Sequence, residues 1–285
     1  MSLIERVAEL LGPVALPNAT PSALREAGAV ERAAKIGQAR PAAAGGPTLN
    51  IDLDRLRSQG IVTPDGERTE LAESFRRIKR PILSNVANPR AGTPTNLVTV
   101  TSTVPGEGKT FCAINLAISI ASEMDRTVLL VDADVARPSV AKMLGVEMGR
   151  GLLEVLLDRR LDLSAVLCKT NIEKLSILPA GTSHPHANEL LASAAMNELL
   201  HEMASRYNDR IIIFDSPPLL AASEASVLVN QMGQIVVVVE AGKTSEAEIK
   251  RAMDRIETSR VAGFVLNKWE GPNLGYYYGY GGYGH

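Results

Sequence analysis

Apolar residues along this chain follow two alternating rhythms. Short β-branched runs at 127–131, 174–178, 210–214, 234–240 and 261–266, with the stretch opened by Val98 and Val100, predict strands buried on both faces. Between them, apolar positions recur at helical spacing over 111–124, 139–144, 151–157, 188–207 and 244–258. Strands alternating with helices predict an α/β fold, a mostly parallel sheet with helices on both faces. A further helix from about Thr69 carries Leu71, Phe75 and Ile78 on one face, and Pro81 is expected to kink or end it. Leu3, Ile4, Val7, Leu10 and Leu11 suggest a short amphipathic helix, whereas the Pro-, Ala- and Gly-rich stretch that follows reads as a disordered linker. The expected organisation is a helix and linker over 1–50, a folded domain over 51–268 and a flexible tail over 269–285.

Where the first long strand ends, Val98 to Thr110 reads VTVTSTVPGEGKT. Pro105 and Gly106 turn the chain, and Gly108 lets the backbone approach a ligand with no side chain between. The expected nucleotide-binding segment is Pro105, Gly106, Glu107, Gly108, Lys109, Thr110 and Phe111. In such a loop the amides point at phosphates, the lysine ammonium reaches the β and γ oxygens, and the threonine hydroxyl binds Mg²⁺. Thr103 stands where the common spacing has glycine, so the motif departs at one position. Two further strand ends deliver carboxylates. Asp132 and Asp134 follow the run at 127–131 and Asp215 follows 210–214, where strands of an open α/β sheet present residues to a ligand. Behind a phosphate loop, these carboxylates point to metal-assisted phosphoryl transfer.

Composition narrows the classes. A formal net charge of −2 and a pI near 6.1 give no basic field, so no nucleic-acid partner is expected. Cys112 and Cys168 lack metal spacing and fit a reduced cytoplasm. No apolar run approaches the roughly eighteen residues of a membrane span, and Glu5, Arg6 and Glu9 interrupt the place where a signal peptide would be apolar. Arg76, Arg77, Lys79 and Arg80 form a basic cluster that fits either a solvated helix face or an interface. Tyr276, Tyr277, Tyr278, Tyr280 and Tyr283 crowd the final ten residues, YYYGYGGYGH, which composition alone leaves as a low-complexity terminus or a functional segment.

TSTVPGEGKT, VLLVDADVARP and IIIFDSPP resemble the Walker A, A′ and B segments of the bacterial tyrosine autokinases of capsule and exopolysaccharide synthesis, a branch of the P-loop NTPases. The resemblance covers residues 70–285 and includes the tail, which is similar to the family's autophosphorylation cluster. Glu73, Arg76 and Lys79 resemble its oligomerisation motif, with lysine in the final place. ESFRRIKRPIL and LPAGTSHPHANELLAS are most similar to the exosortase-associated subgroup. The resemblance implies ATP and Mg²⁺ as cofactors and Lys109, Asp132, Asp134 and Asp215 as catalytic residues. Asp132 would act as base toward a tail tyrosine, and Thr110, Asp132 and Asp215 would serve the metal. Asn267 resembles an adenine-contacting asparagine, and a strand-end turn residue fits it as well. A ring-shaped homo-oligomer is also implied, with a membrane polysaccharide co-polymerase as activator, a tyrosine phosphatase as counter-enzyme, and a cytoplasmic place at the inner membrane through the partner. Ala136 occupies the arginine position of the A′ pattern with Arg137 after it, and Lys79 lacks arginine's bidentate fork. Val104 stands where partition and cell-division-site ATPases carry a signature lysine; their non-kinase switch is the alternative reading.

Overall fold

The computed structural model describes residues 46–66, 69–206 and 209–270. The expected N-terminal helix, most of the linker and all five tail tyrosines lie outside the described residues. Among the described residues eight strands form one sheet: β1 (Thr48–Leu49), β2 (Leu97–Ser102), β3 (Thr127–Asp132), β4 (Cys168–Thr170), β5 (Leu175–Leu178), β6 (Arg210–Asp215), β7 (Gln234–Glu240) and β8 (Val261–Asn267). Their order is β1-β4-β5-β3-β6-β2-β7-β8, and every neighbouring pair is parallel except β4 with β5.

Period-two alternation builds the layers. Val128 and Leu130 of β3 face one side of the sheet, Leu129 and Val131 the other. The first side is covered by α1 (Leu53–Ser58), α2 (Glu70–Ala87), α3 (Lys109–Ala121) and α4 (Val140–Leu144). The second is covered by α5 (Leu152–Leu157), α6 (Ala187–Leu191), α7 (Ala194–Arg206) and α8 (Ser223–Val229). A smaller cluster joins β7 to α9 (Glu246–Met253) through Val237, Ile249 and Ala252. Helix α3 is buried nearly all round because it lies between the sheet and α2. Its mid-helix Asn115 is satisfied, accepting from Val62 N at 2.8 Å and donating to Phe111 O at 2.9 Å.

Strand β2 runs between β6 and β7, and its buried hydroxyls need partners. Thr99 Oγ1 pairs with Ser216 Oγ and Thr101 Oγ1 donates to Pro217 O, both at 2.7 Å. The segment after β6 is thereby tied beneath the loop after β2.

Several elements differ from expectation. Strand β1 pairs with β4, so ordered pairing begins before residue 51. At two and three residues, β1 and β4 are too short to show a period. Helix α2 does not end at Pro81 but continues to Ala87, losing only the hydrogen bond that a proline nitrogen cannot donate. Phe75 and Ile82, both buried, anchor it on either side of the exposed proline. The single helix expected over 188–207 is α6 and α7, because Ser193 Oγ accepts from Met196 N at 3.2 Å and starts a new helix. Helix α8 occupies a stretch where no element is expected. No helix among the described residues is long and apolar enough to cross a membrane.

Candidate phosphate and metal site

The site forms where β2, β3 and β6 end. The β3–β6 register sets Asp132 opposite Asp215, and β2 sets Val100 opposite the same Asp215. Beyond β2 the chain turns at Pro105, and Gly106 and Gly108 take φ values of 92° and 96°, where glycine is favoured. A Cβ at Gly108 would lie 2.1 Å from Asn267 Nδ2, so a side chain here would displace that amide from the loop. Helix α3 then starts at Lys109, with its first amides directed out of the helix as phosphate loops require.

Five of the expected residues converge here. Lys109 Nζ lies 2.8 Å from Asp134 Oδ2 and 3.4 Å from Asp215 Oδ1. Thr110 Oγ1 donates to Asp215 Oδ2 at 2.6 Å and shares a 2.8 Å hydrogen bond with Ser139 Oγ. Asp132 Oδ2 accepts from Ser139 N and Val140 N, each at 3.1 Å, while its Oδ1 is buried without a partner. Burial pushes the Asp132 carboxyl up to about 7, with the Asp215 charge adding to it. Burial raises Asp215 as well, against the opposing pull of Lys109 and Thr110. For Lys109 burial disfavours the charge, yet Asp215 and Asp134 outweigh it and hold the ammonium above the ordinary lysine range.

One ammonium therefore faces three carboxylates in a place largely closed to water. Among the described residues no three His, Cys, Asp or Glu side chains form a complete metal cage. Mg²⁺ does not need one, since it binds through one or two carboxylates, waters and substrate phosphates. The Thr110 hydroxyl, Asp215 and the unpartnered Asp132 oxygen fit that demand.

The remaining expected residues divide. Asn267 reaches the loop and donates through Nδ2 to Glu107 O at 2.8 Å. Glu107 is buried with its carboxylate turned inward, accepting from Val104 N at 2.8 Å and from Thr244 Oγ1, so only its backbone faces a ligand. Phe111 packs edge-on against Phe75 with ring centroids 6.4 Å apart, a helix contact, and Pro105 is exposed at the loop's tip. Glu73 and Arg76 form an exposed ion pair on α2. Lys79 does not share that surface. It is buried, donating to Ser119 O at 2.6 Å and pairing with Glu123 at 2.5 Å. The Arg137 side chain is exposed, and only its backbone N–H reaches Asp134 Oδ1, at 3.3 Å. Ser139, Thr244 and Lys268 contact the loop and its partners without having been expected. Each joins the site through the fold; Ser139 and Thr244 open expected helices, a local signal that does not reveal these contacts.

The parallel sheet, the glycine-turned loop and the carboxylates at neighbouring strand ends define a P-loop NTPase. Residues 95–262 match the family described as an AAA domain. The chain is 34% identical over 207 residues to the tyrosine-protein kinase YwqD of Bacillus subtilis, covering 72% of this chain and 84% of that one. It is 37% identical over 184 residues to the tyrosine-protein kinase CpsD of Streptococcus pneumoniae, covering 62% and 78%. Its fold is similar to the kinase domain of the Escherichia coli tyrosine kinase ETK, with a TM-score of 0.60, 25% identity, and coverage of 80% of this chain and 99% of that domain. The chain belongs to the bacterial tyrosine kinases, the P-loop branch of protein-tyrosine kinases.

Proposed function

We propose that this kinase transfers the γ-phosphoryl group of ATP to tyrosines of its own C-terminal segment, Tyr276, Tyr277, Tyr278, Tyr280 and Tyr283, and thereby regulates exopolysaccharide synthesis. The observation that carries this reading is the Asp132 carboxylate. One oxygen is held by two amides, and the other is buried without a partner, in a carboxylate that feels the Lys109 charge. A phenol has a pKa of about 10 and needs a base to react near neutral pH. A carboxylate raised to about 7 is matched to that task.

Lys109 and the loop amides bind and orient the phosphates, and Asp134 holds the Lys109 ammonium in place. The phenol oxygen forms a bond to the γ-phosphorus as its proton passes to Asp132; the bond to the β–γ bridging oxygen breaks, and ADP leaves. Thr110, Asp132 and Asp215 would hold Mg²⁺, which would neutralise charge on the phosphate oxygens. Asn267, which donates to Glu107 O at the loop's flank, would contact the adenine of the nucleotide. By resemblance, the kinase works in a homo-oligomeric ring at the inner membrane. A membrane polysaccharide co-polymerase activates it and a tyrosine phosphatase opposes it.

The test is incubation of the full chain with Mg²⁺ and labelled ATP, followed by mapping of the label. Phosphotyrosine in the tail, reduced more than about a hundredfold in Lys109→Met, is the expected result. Phosphate release with no labelled tyrosine would replace the kinase by an ATPase switch.

A further inference from the structure

Two successive carbonyls of the phosphate loop are held from the end of β8. Lys268 Nζ donates to Gly106 O at 2.8 Å, and Asn267 Nδ2 donates to Glu107 O at 2.8 Å. In a trans peptide the carbonyl of one residue and the N–H of the next point in opposite directions. Holding the Gly106 and Glu107 carbonyls toward β8 therefore aims the N–H groups of Glu107 and Gly108 away from it. Among the described residues neither amide bonds to another group of the chain. They are left as donors to phosphate.

Lys268 has further features that a solvated surface lysine lacks. Its ammonium is braced by Glu240 Oε2 at 3.0 Å, and Glu240 is itself tied by its N–H to Thr244 Oγ1 at 3.0 Å. Thr244 in turn donates to the buried Glu107 carboxylate. The backbone of Lys268 sits at φ 57°, a left-handed conformation that non-glycine residues adopt rarely. Such an outlier persists where its surroundings hold it. A simple exposed Lys–Glu pair would contribute little and would not reach the loop.

We propose that Lys268 is a positioning residue for the nucleotide: by holding the Gly106 carbonyl it fixes the direction of the loop's phosphate-binding amides. The inference rests on the nucleotide-binding reading and predicts an effect on ATP affinity rather than on the transfer step.

The experiment compares full-length wild type with Lys268→Ala, Lys268→Gly and Lys268→Arg. It measures the dissociation constant of a fluorescent ATP analogue, KM for ATP and kcat in tail labelling, and thermal stability. Loss of one hydrogen bond to the loop should raise Kd and KM for ATP about three- to tenfold in Lys268→Ala, with kcat at saturating ATP within about twofold. Lys268→Gly relieves the backbone conformation, so it should lose affinity equally while its Tm stays level or rises. Lys268→Arg, which keeps charge and reach, should recover affinity to within about twofold. Unchanged ATP affinity in the Ala and Gly variants would overturn the proposal, as would a fall in kcat with KM unchanged. Because nucleotide binding is read without phosphoryl transfer, an unlabelled wild-type tail would sink the kinase reading and leave this comparison standing.

Discussion

Asp132 and Asp215 sit in a physical conflict: the sheet register makes two buried carboxylates neighbours, and Lys109 neutralises only part of their charge. Both are raised above the ordinary carboxylate value of 3.8. The sign of the pH dependence follows. A group whose pKa is higher folded than unfolded binds more protons in the folded state, so its stabilising share is present at low pH and lost as pH rises through the folded value. With neither nucleotide nor Mg²⁺ added, we predict that the Tm contribution of these two groups increases as pH is lowered from about 8 to about 5. Asp132→Asn should flatten that slope in a calorimetric pH series, and a slope equal to wild type would refute the assignment. At this scale the sequence shows the charged centre of the site but not its braces. Lys109, Thr110, Asp132, Asp134 and Asp215 are legible because each follows a recognisable strand or turn. Ser139, Thr244 and Lys268 are not, because their contacts span 29, 137 and 162 positions and have no local pattern.

Elements were legible in proportion to their length and period. Strands β3, β6, β7 and β8 stand near their expected limits since each is a long apolar run, whereas β1 and β4 gain their identity only by pairing. Helix α2 shows tertiary packing overriding a local breaker. Pro81 has no N–H for the carbonyl four residues before it, yet the flanking apolar residues dock on the core and the helix continues. Since Pro81 is exposed, Pro81→Ala restores that bond without disturbing a packed surface. Relief of the interior-proline penalty, about 3 kcal/mol, is opposed by about 0.4–1 kcal/mol from the proline's smaller unfolded-state entropy, so we expect a net stabilisation of about 2 kcal/mol. Urea titration gives the number, and a destabilised variant would mean that the proline itself is required. The same helix carries the Glu73–Arg76 pair outward and Lys79 inward. The family resemblance put all three in one motif, but burial decides which of them can meet a neighbour.

For the whole molecule, the parallel α/β architecture was readable from alternation alone, and the antiparallel β4–β5 pair was not, because a three-residue strand has no direction in sequence. Assembly is the property that the tail should govern. Each phosphotyrosine adds about −1.5 to −2 charges to a protein already carrying a net −2. Progressive phosphorylation should then drive subunits apart. Light scattering of the phosphorylated protein, repeated after phosphatase treatment, should show a larger species once the phosphates are gone; equal sizes would count against a charge-controlled assembly.

The interior place of β2, between two strands that follow it in the chain, also bears on how the protein is made. This strand emerges from the ribosome early, but its neighbours β6 and β7 come much later, and Thr110 must wait 105 positions for Asp215. Until then both edges of an apolar strand are open to the wrong partner, the situation in which nascent chains depend on chaperones. Competence for nucleotide thus waits until β8 brings Asn267 and Lys268 to the loop. A truncated translation product would carry the phosphate-loop sequence without being able to use it.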